Sequence, residues 1–461
     1  MLGYGISTIG MGTSYNFMSA YLVVFLTNCV GLSGSAAGAI SSIALVVEAC
    51  FGTMVGSWSD NCTSKMGRRR PFMMLAAIGV PLSMILFYNN IEAAMPVKIA
   101  YYLAAAILFR VFFCCYEIPY NALGAEIAPG YDERTKLRTI SRAFGIVGNA
   151  LGYITPLLLL DLFKNNESAG WRVISIFMGL CCCLFWSLCV YFTRGKSLVI
   201  DKSQIVKKTN VVKSILTSYL SLVKLKAMRI LMIYKAAFTC AFSLYNVGTI
   251  YYLQYSLGLG NTYSSYMYAF QIIIFALTTP LINKMALKMG KAQQQMTALF
   301  AGGIVGVAIF ILMPNSVVGS VIYIALFSVV QNGFWQVSTS IFYDVVEVDE
   351  YVNYKRREGD IMSLVSVFGT IITAVMVQIF GILLDFAGFD PELAVQPASA
   401  SWLIGAMYVL VPSICFLIGA IALKVFPVNK KTFASLLEVL RLRRAGEDYS
   451  QYMDDIRKIT E

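Results

Sequence analysis

Histidine is absent from the whole chain. That removes imidazole acid–base catalysis, histidine metal sites and histidine proton relays together. Charge is scarce as well. Only 13% of residues are Asp, Glu, Lys or Arg, against roughly a quarter in an ordinary soluble domain. Cysteine is plentiful at eleven residues, but metal spacing among them is missing. Nearly all lie in apolar stretches, Cys181, Cys182 and Cys183 in a row, and read as small hydrophobes. With no nucleophile motif either, a membrane-embedded enzyme is disfavoured. Rings of repeated pore residues, which a channel needs, are lacking too.

What is present is hydrophobicity. The 461 residues are 58% hydrophobic, with a mean hydropathy of +0.69. Twelve apolar segments recur, at 4–29, 36–57, 72–91, 98–123, 139–162, 171–193, 227–257, 264–287, 295–314, 318–343, 360–388 and 399–425. Each is long enough to cross a hydrocarbon layer of about 30 Å. The expectation is an all-α membrane protein whose first partner is the lipid bilayer. The first segment has no basic leader and no small-residue cleavage site, so it reads as a span rather than a signal peptide.

Lys and Arg set the orientation. With the N-terminus in the cytoplasm, 31 of the 36 fall in cytoplasmic loops and the tail. External loops hold Lys98, Lys164 and Arg172, and the segments themselves hold Arg110 and Lys235. The net charge of +11 is therefore a topology signal and not a nucleic-acid footprint. The expected location is the plasma membrane, with both termini cytoplasmic.

The organisation is two halves. Residues 1–193 and 227–425 each carry six segments, 194–226 is a cytoplasmic linker and 426–461 a cytoplasmic tail. KMGRRR at 65–70 returns as KMGKAQ at 288–293, and SRAFG at 141–145 returns as SVFG at 366–369. The offsets, 223 and 224, nearly agree. This points to parallel repeats, the arrangement of the major facilitator fold, in which the binding site lies near the bilayer midplane. The tail has an apolar stripe beside Arg441, Arg443 and Arg444. It reads equally as a helix on the inner leaflet or as a solvated tail.

Ionisable groups inside spans are site candidates by default, because each costs roughly 2.5–3.5 kcal/mol to place there. Glu48 and Arg110 each stand twelve residues in from the outer start of their segments, so an ion pair can form. Glu117, seven residues past Arg110, shares its helix face. Pro119 leaves the Cys115 carbonyl without its helical donor, beside that carboxylate. Asn16, Tyr120, Asn121 and Trp335 are polar or aromatic groups suited to a sugar's hydroxyl edges and C–H faces.

DNCTSKMGRRRPF (60–72), YEIPYNALGAEIAPGYDERTKLRTISRAFG (116–145) and FYDVVEVDEYVNYKRREGDIMS (342–363) carry a family likeness. The chain resembles the glycoside–pentoside–hexuronide:cation symporters of the major facilitator superfamily, the group of the melibiose carrier. The resemblance covers nearly all of the membrane region. It implies a coupling-cation site at Glu48 and Glu117, with Cys114 where the family has a threonine and Gly52 where it has a further carboxylate. A sodium ion at Glu48 and Glu117 is thus short of oxygens, and a proton is slightly favoured. It implies sugar contacts at Glu117, Asn121, Arg142 and Trp335, with Gly12 in place of an aspartate and Thr370 in place of a lysine. The basic loops read as gates: Asp60 with Arg68, Arg69 and Arg70, Glu133 with Arg134, and Glu347 with Arg356 or Arg357. The implied activity is cation-coupled symport of a sugar, glycoside or hexuronide by a monomer working through alternating access, without a resident cofactor. The alternative is a carrier of the same fold for a lysolipid or another non-sugar solute.

Overall fold

A computed structural model of the chain describes residues 1–128, 131–195, 211–391, 393 and 396–460, and its regular elements are all helices. Twelve of these helices are long and apolar enough to cross a membrane. They are α1 Leu2–Asn28, α2 Gly34–Asp60, α3 Arg70–Phe87, α4 Met95–Ile127, α5 Tyr131–Leu162, α6 Glu167–Phe192, α7 Lys226–Ser256, α8 Asn261–Met289, α9 Lys291–Leu312, α10 Val317–Asn353, α11 Glu358–Phe386 and α12 Ala398–Lys424. Each overlaps one of the twelve apolar segments over most of its length. Polar caps set several of the starts. Ser33 accepts the Ala36 amide at the head of α2, and Asn166 accepts the Ala169 amide at the head of α6.

Some spans outrun their apolar segments. α4 has 33 residues and α10 has 37, about 50 and 55 Å of helix, so their last turns clear a ~30 Å hydrocarbon layer. Those turns carry Glu126 on α4 and Glu347, Asp349 and Glu350 on α10. Within 194–226 the structure adds a helix, Val211–Val223, that hydropathy alone did not separate from the linker.

The chain divides into two compact units. The first comprises Met1–Lys207, Asn246–Ile272 and Thr373–Ile404, and the second Lys208–Tyr245, Ile273–Ile372 and Gly405–Glu461. In the first unit α3 packs on α4 and α6, and the same relation recurs later in the chain as α9 on α10 and α12. Phe17, Tyr21, Phe25, Phe87, Tyr88, Tyr102 and Trp171 form one aromatic cluster joining α1, α3, α4 and α6.

The α1–α5 crossing is very close. A Cβ on Gly148 would stand 2.5 Å from the Ile9 carbonyl oxygen, and one on Gly12 would stand 3.0 Å from the Asn149 amide nitrogen. An aspartate at position 12 has no room beside α5, which explains the glycine there. At the start of α2 the Asp385 carboxylate of α11 accepts from the backbone amides of Gly34 at 2.6 Å and Ser35 at 2.8 Å. An anion there is favoured by both the free N–H groups and the helix dipole.

The repeat seen in sequence has a structural counterpart. Gly67 and Gly290 adopt φ of +90° and +96°, the left-handed region open to glycine. The residue after each is basic and reaches the C-terminal part of the fourth span of its half. Arg68 Nη2 lies 2.7 Å from Glu126 Oε1, and Lys291 Nζ lies 2.8 Å from Asp344 Oδ1.

The tail forms a helix, Lys430–Ala445, opened by an Asn429–Thr432 capping box. It docks on α10: Arg444 pairs with Glu350, and Arg443 donates to the Tyr351 carbonyl at 3.0 Å. Arg443 also sits 3.6 Å above the Tyr354 ring.

Candidate functional site

In the first unit, Glu48 of α2 and Arg110 of α4 form the expected pair, with Arg110 Nη1 3.1 Å from Glu48 Oε2. Arg110 is 2% exposed, so the carboxylate is what makes its charge tolerable. The guanidinium also lies 5.8 Å from the ring centroid of Tyr15 and 5.7 Å from that of Phe109. The Cys114 thiol donates to the Glu48 backbone carbonyl at 3.6 Å. A Cβ on Gly52 would stand 3.2 Å from Ile118 Cδ1 and 3.8 Å from Cys114 Sγ. The groups that face the Gly52 position are thus a methyl and a thiol.

Glu117 is different. It lies within electrostatic reach of both Glu48 and Arg110. Yet Arg110 is engaged by Glu48, and Glu117 has no salt bridge or hydrogen bond among the described residues. The three charges sum to minus one, and the excess resides on Glu117. A carboxylate so placed can take up a proton or a small cation without breaking an existing ion pair.

The expected sugar contacts fall into two kinds. Asn16 donates to Asn149 Oδ1 at 2.8 Å and helps hold α1 on α5. The Tyr120 ring stacks on Tyr4 at 4.1 Å, and its hydroxyl donates to the Tyr4 carbonyl at 3.2 Å, deep in the α1–α4 contact. The side chains of these two are occupied by helix contacts. Asn121 and Arg142 are exposed, and Thr370 donates back to the Ser366 carbonyl at 3.2 Å.

In the second unit Trp335 of α10 is 50% exposed. Phe238, Phe242 and Phe334 meet it edge-on at 6.4, 5.9 and 5.4 Å, which fixes the plane of the indole. Asn332 and Gln336, in the same stretch, instead tie α10 to α8. Asn332 donates to Thr278 at 2.9 Å and Thr279 at 3.1 Å, while Gln336 donates to Asn332 at 2.8 Å.

The charged loops form two networks. In the first unit Arg69 pairs with Asp60 and donates to Ser59 at 2.7 Å, while Arg68 and Arg69 share Glu126. Arg70 instead closes the end of α6, donating to the Val190 carbonyl at 2.7 Å. In the second unit Arg356 takes Glu347 at 3.0 Å and Glu350 at 3.0 Å. Arg357 does not share Glu347. It forms a bidentate pair with the fully buried Asp349, at 2.6 and 2.9 Å, and reaches Ser221 of the linker helix. The side chain of Arg134 lies outside the described residues. Sequence reasoning missed Glu126 and Asp349 as partners. Their signal was positional: acidic residues just past the apolar end of a span, beside a basic loop.

Comparison with known proteins agrees with this architecture. A family model described as MFS/sugar transport protein matches residues 3–430. The chain is similar to the uncharacterized symporter YjmB of Bacillus subtilis, at 25% identity over 93% of this chain and 90% of that one. It is similar to the isoprimeverose transporter of Lactiplantibacillus pentosus, at 22% identity over 93% and 88% of the two chains. A solved structure of the proton dependent oligopeptide transporters shares the fold, with a TM-score of 0.65 at 13% identity over 95% of this chain and 98% of that one. Twelve spans, the repeated packing and a match over nearly the whole length make this chain a member of the MFS/sugar transport protein family, a multi-pass membrane transporter and not an enzyme.

Proposed function

We propose that this protein carries a sugar or glycoside across the cell membrane by symport with a cation, the proton favoured over sodium, with both termini in the cytoplasm. One observation carries the reading: Glu117 is a carboxylate inside a span with no bonded partner among the described residues, next to a closed Glu48–Arg110 pair. Neutralising Glu117 removes an uncompensated membrane charge, and that change is what a coupled carrier needs between its loaded and empty states. Sodium is a hard cation that wants several oxygens. The neighbours at Gly52 and Cys114 supply none from their side chains, whereas a proton needs one carboxylate. The likeness to an isoprimeverose transporter supports a sugar as cargo.

With the termini cytoplasmic, the Asp385–Gly34 contact lies at external helix ends, and the Asp60–Arg69 and Glu347–Arg356 pairs lie at internal ones. Alternating access requires such contacts to part in turn. We assign Asp60, Arg68, Arg69, Glu347, Arg356 and Arg357 to the internal gate, and Arg70 to the fixed end of α6.

The deciding experiment adds a panel of glycosides, pentosides and hexuronides to weakly buffered, deenergised cells expressing the protein, with and without sodium. Alkalinisation of the medium on adding one sugar, without sodium, is expected. Labelled uptake only when sodium is present would replace the proton with sodium. Silence throughout, with lysolipid uptake, would overturn the sugar reading.

Trp335 supplies a rigid ring for a sugar's C–H face in this reading. Trp335→Ala is expected to weaken sugar affinity at least tenfold in binding assays on purified protein, with the fold unchanged by circular dichroism. Unchanged affinity would remove Trp335 from the site.

A further inference from the structure

This inference rests on the sugar-symport reading and adds the class of sugar. Two basic residues stand well inside the apolar segments, away from their ends, Arg110 and Lys235. Arg110 is answered by Glu48. Lys235, on α7, has no ion pair among the described residues. What its ammonium meets is aromatic: Nζ stands 5.1 Å from the Phe334 centroid and 6.0 Å from the Trp335 centroid. The absence of a side chain at Gly369 accommodates the lysine stem, since a Cβ there would come within 2.9 Å of Lys235 Cε. The Thr239 Oγ1 stands 3.9 Å from that same Cβ position.

Cation–π contact offsets only part of the cost of holding an ammonium away from water. An anion is the missing partner, and the described residues of the second unit offer Lys235 none. The cations of that unit that pair with carboxylates among the described residues, Lys291, Arg356, Arg357, Arg441 and Arg444, sit at span ends or in the tail. Lys235 is deep in its span and shares the exposed indole of Trp335. A neutral sugar would cover the indole and leave the ammonium unanswered. A sugar with one acidic group covers the indole and supplies the anion.

We propose that Lys235 is the anion receptor of the substrate site, and that the cargo is a sugar carrying one carboxylate or sulfonate group. Recognition is by charge-assisted hydrogen bonds from the ammonium to that group, while Trp335 holds the ring. The proposal also gives a role to a lysine that has no ion pair among the described residues.

The test uses purified full-length protein and matched pairs of sugars: methyl glucuronide against methyl glucoside, and galacturonate against galactose. Affinities are read by calorimetry, and uptake by labelled sugar in proteoliposomes. The acid is expected to bind roughly tenfold to a hundredfold more tightly than its neutral partner. Lys235→Gln should bring the ratio to within about threefold of unity, while Lys235→Arg keeps most of it. A wild-type protein that binds the neutral member as well as the acid overturns the proposal and leaves sugar symport standing. So does a Lys235→Gln protein that keeps the full ratio. Failure to bind or carry either member of every pair overturns both readings. The comparison within the wild-type protein needs no variant, so it stands even if Lys235→Gln does not fold.

Discussion

Glu117→Gln abolishes concentrative uptake while the protein still folds and still exchanges substrate across the membrane. The carboxamide has nearly the shape of the carboxylic acid and cannot ionise. It therefore locks the site in its neutral form. Symport needs that site to alternate between charged and neutral once per cycle. By linkage, a cation that tightens sugar binding must itself be bound more tightly in the presence of sugar, by the same factor. The variant has lost the cation, so its sugar affinity should no longer depend on external pH or sodium. The accumulation ratio should fall to about one in energised vesicles, with counterflow of preloaded sugar retained. Full accumulation by Glu117→Gln would show that coupling resides elsewhere. Loss of counterflow along with accumulation would show that Glu117 also serves the sugar directly, as its place in the family motif implies.

The contrast between Glu48 and Glu117 shows where sequence reading works and where it stops. Equal depth in α2 and α4 was enough to pair Glu48 with Arg110, because helix rise is constant and two opposite charges in a span rarely ignore each other. Spacing of seven put Glu117 on the same face of α4. Neither fact reveals that Arg110 is engaged by Glu48 and leaves Glu117 unpaired. That depends on side-chain reach at a helix crossing. The same limit applies to Asn16 and Tyr120. As polar residues in apolar spans they read as cargo contacts, yet Asn149 occupies Asn16 across an α1–α5 crossing made close by Gly12, Gly148 and Gly152, and the Tyr4 ring occupies Tyr120 in the α1–α4 contact. The spans themselves were legible because hydropathy is summed over twenty residues. The linker helix was not, since its thirteen residues are too few to stand out as a span. Spacing left Glu347 open to Arg356 or Arg357 for a similar reason: Glu347 and Asp349 are two residues apart, and only the helix face gives the first to Arg356 and the second to Arg357.

The Glu48–Arg110 pair can be separated from the coupling site by breaking it from each side. Glu48→Gln leaves a guanidinium that is almost wholly buried with no carboxylate bonded to it, because Glu117 makes no bond to it in the structure. Removing one partner of a buried pair costs about 3–5 kcal/mol. Yield and thermal stability of the purified Glu48→Gln protein should fall steeply. Arg110→Met should do less harm to folding. It leaves the carboxylate of Glu48, which can be neutralised by protonation, whereas an arginine stays charged. The double variant, Glu48→Gln with Arg110→Met, removes both charges and should recover most of the lost stability, since a buried pair replaced by neutral groups of similar volume is often nearly neutral in cost. Uptake in that double variant then divides the roles. Coupled accumulation that survives in the restored protein would make the pair a helix fastener and leave Glu117 to carry the cation alone. Restored stability with transport downhill only would make Glu48 a working part of the cation site. If the double variant is no more stable than Glu48→Gln, the pair is not the principal contact between α2 and α4, and the close packing of Gly52 on Ile118 and Cys114 takes that place.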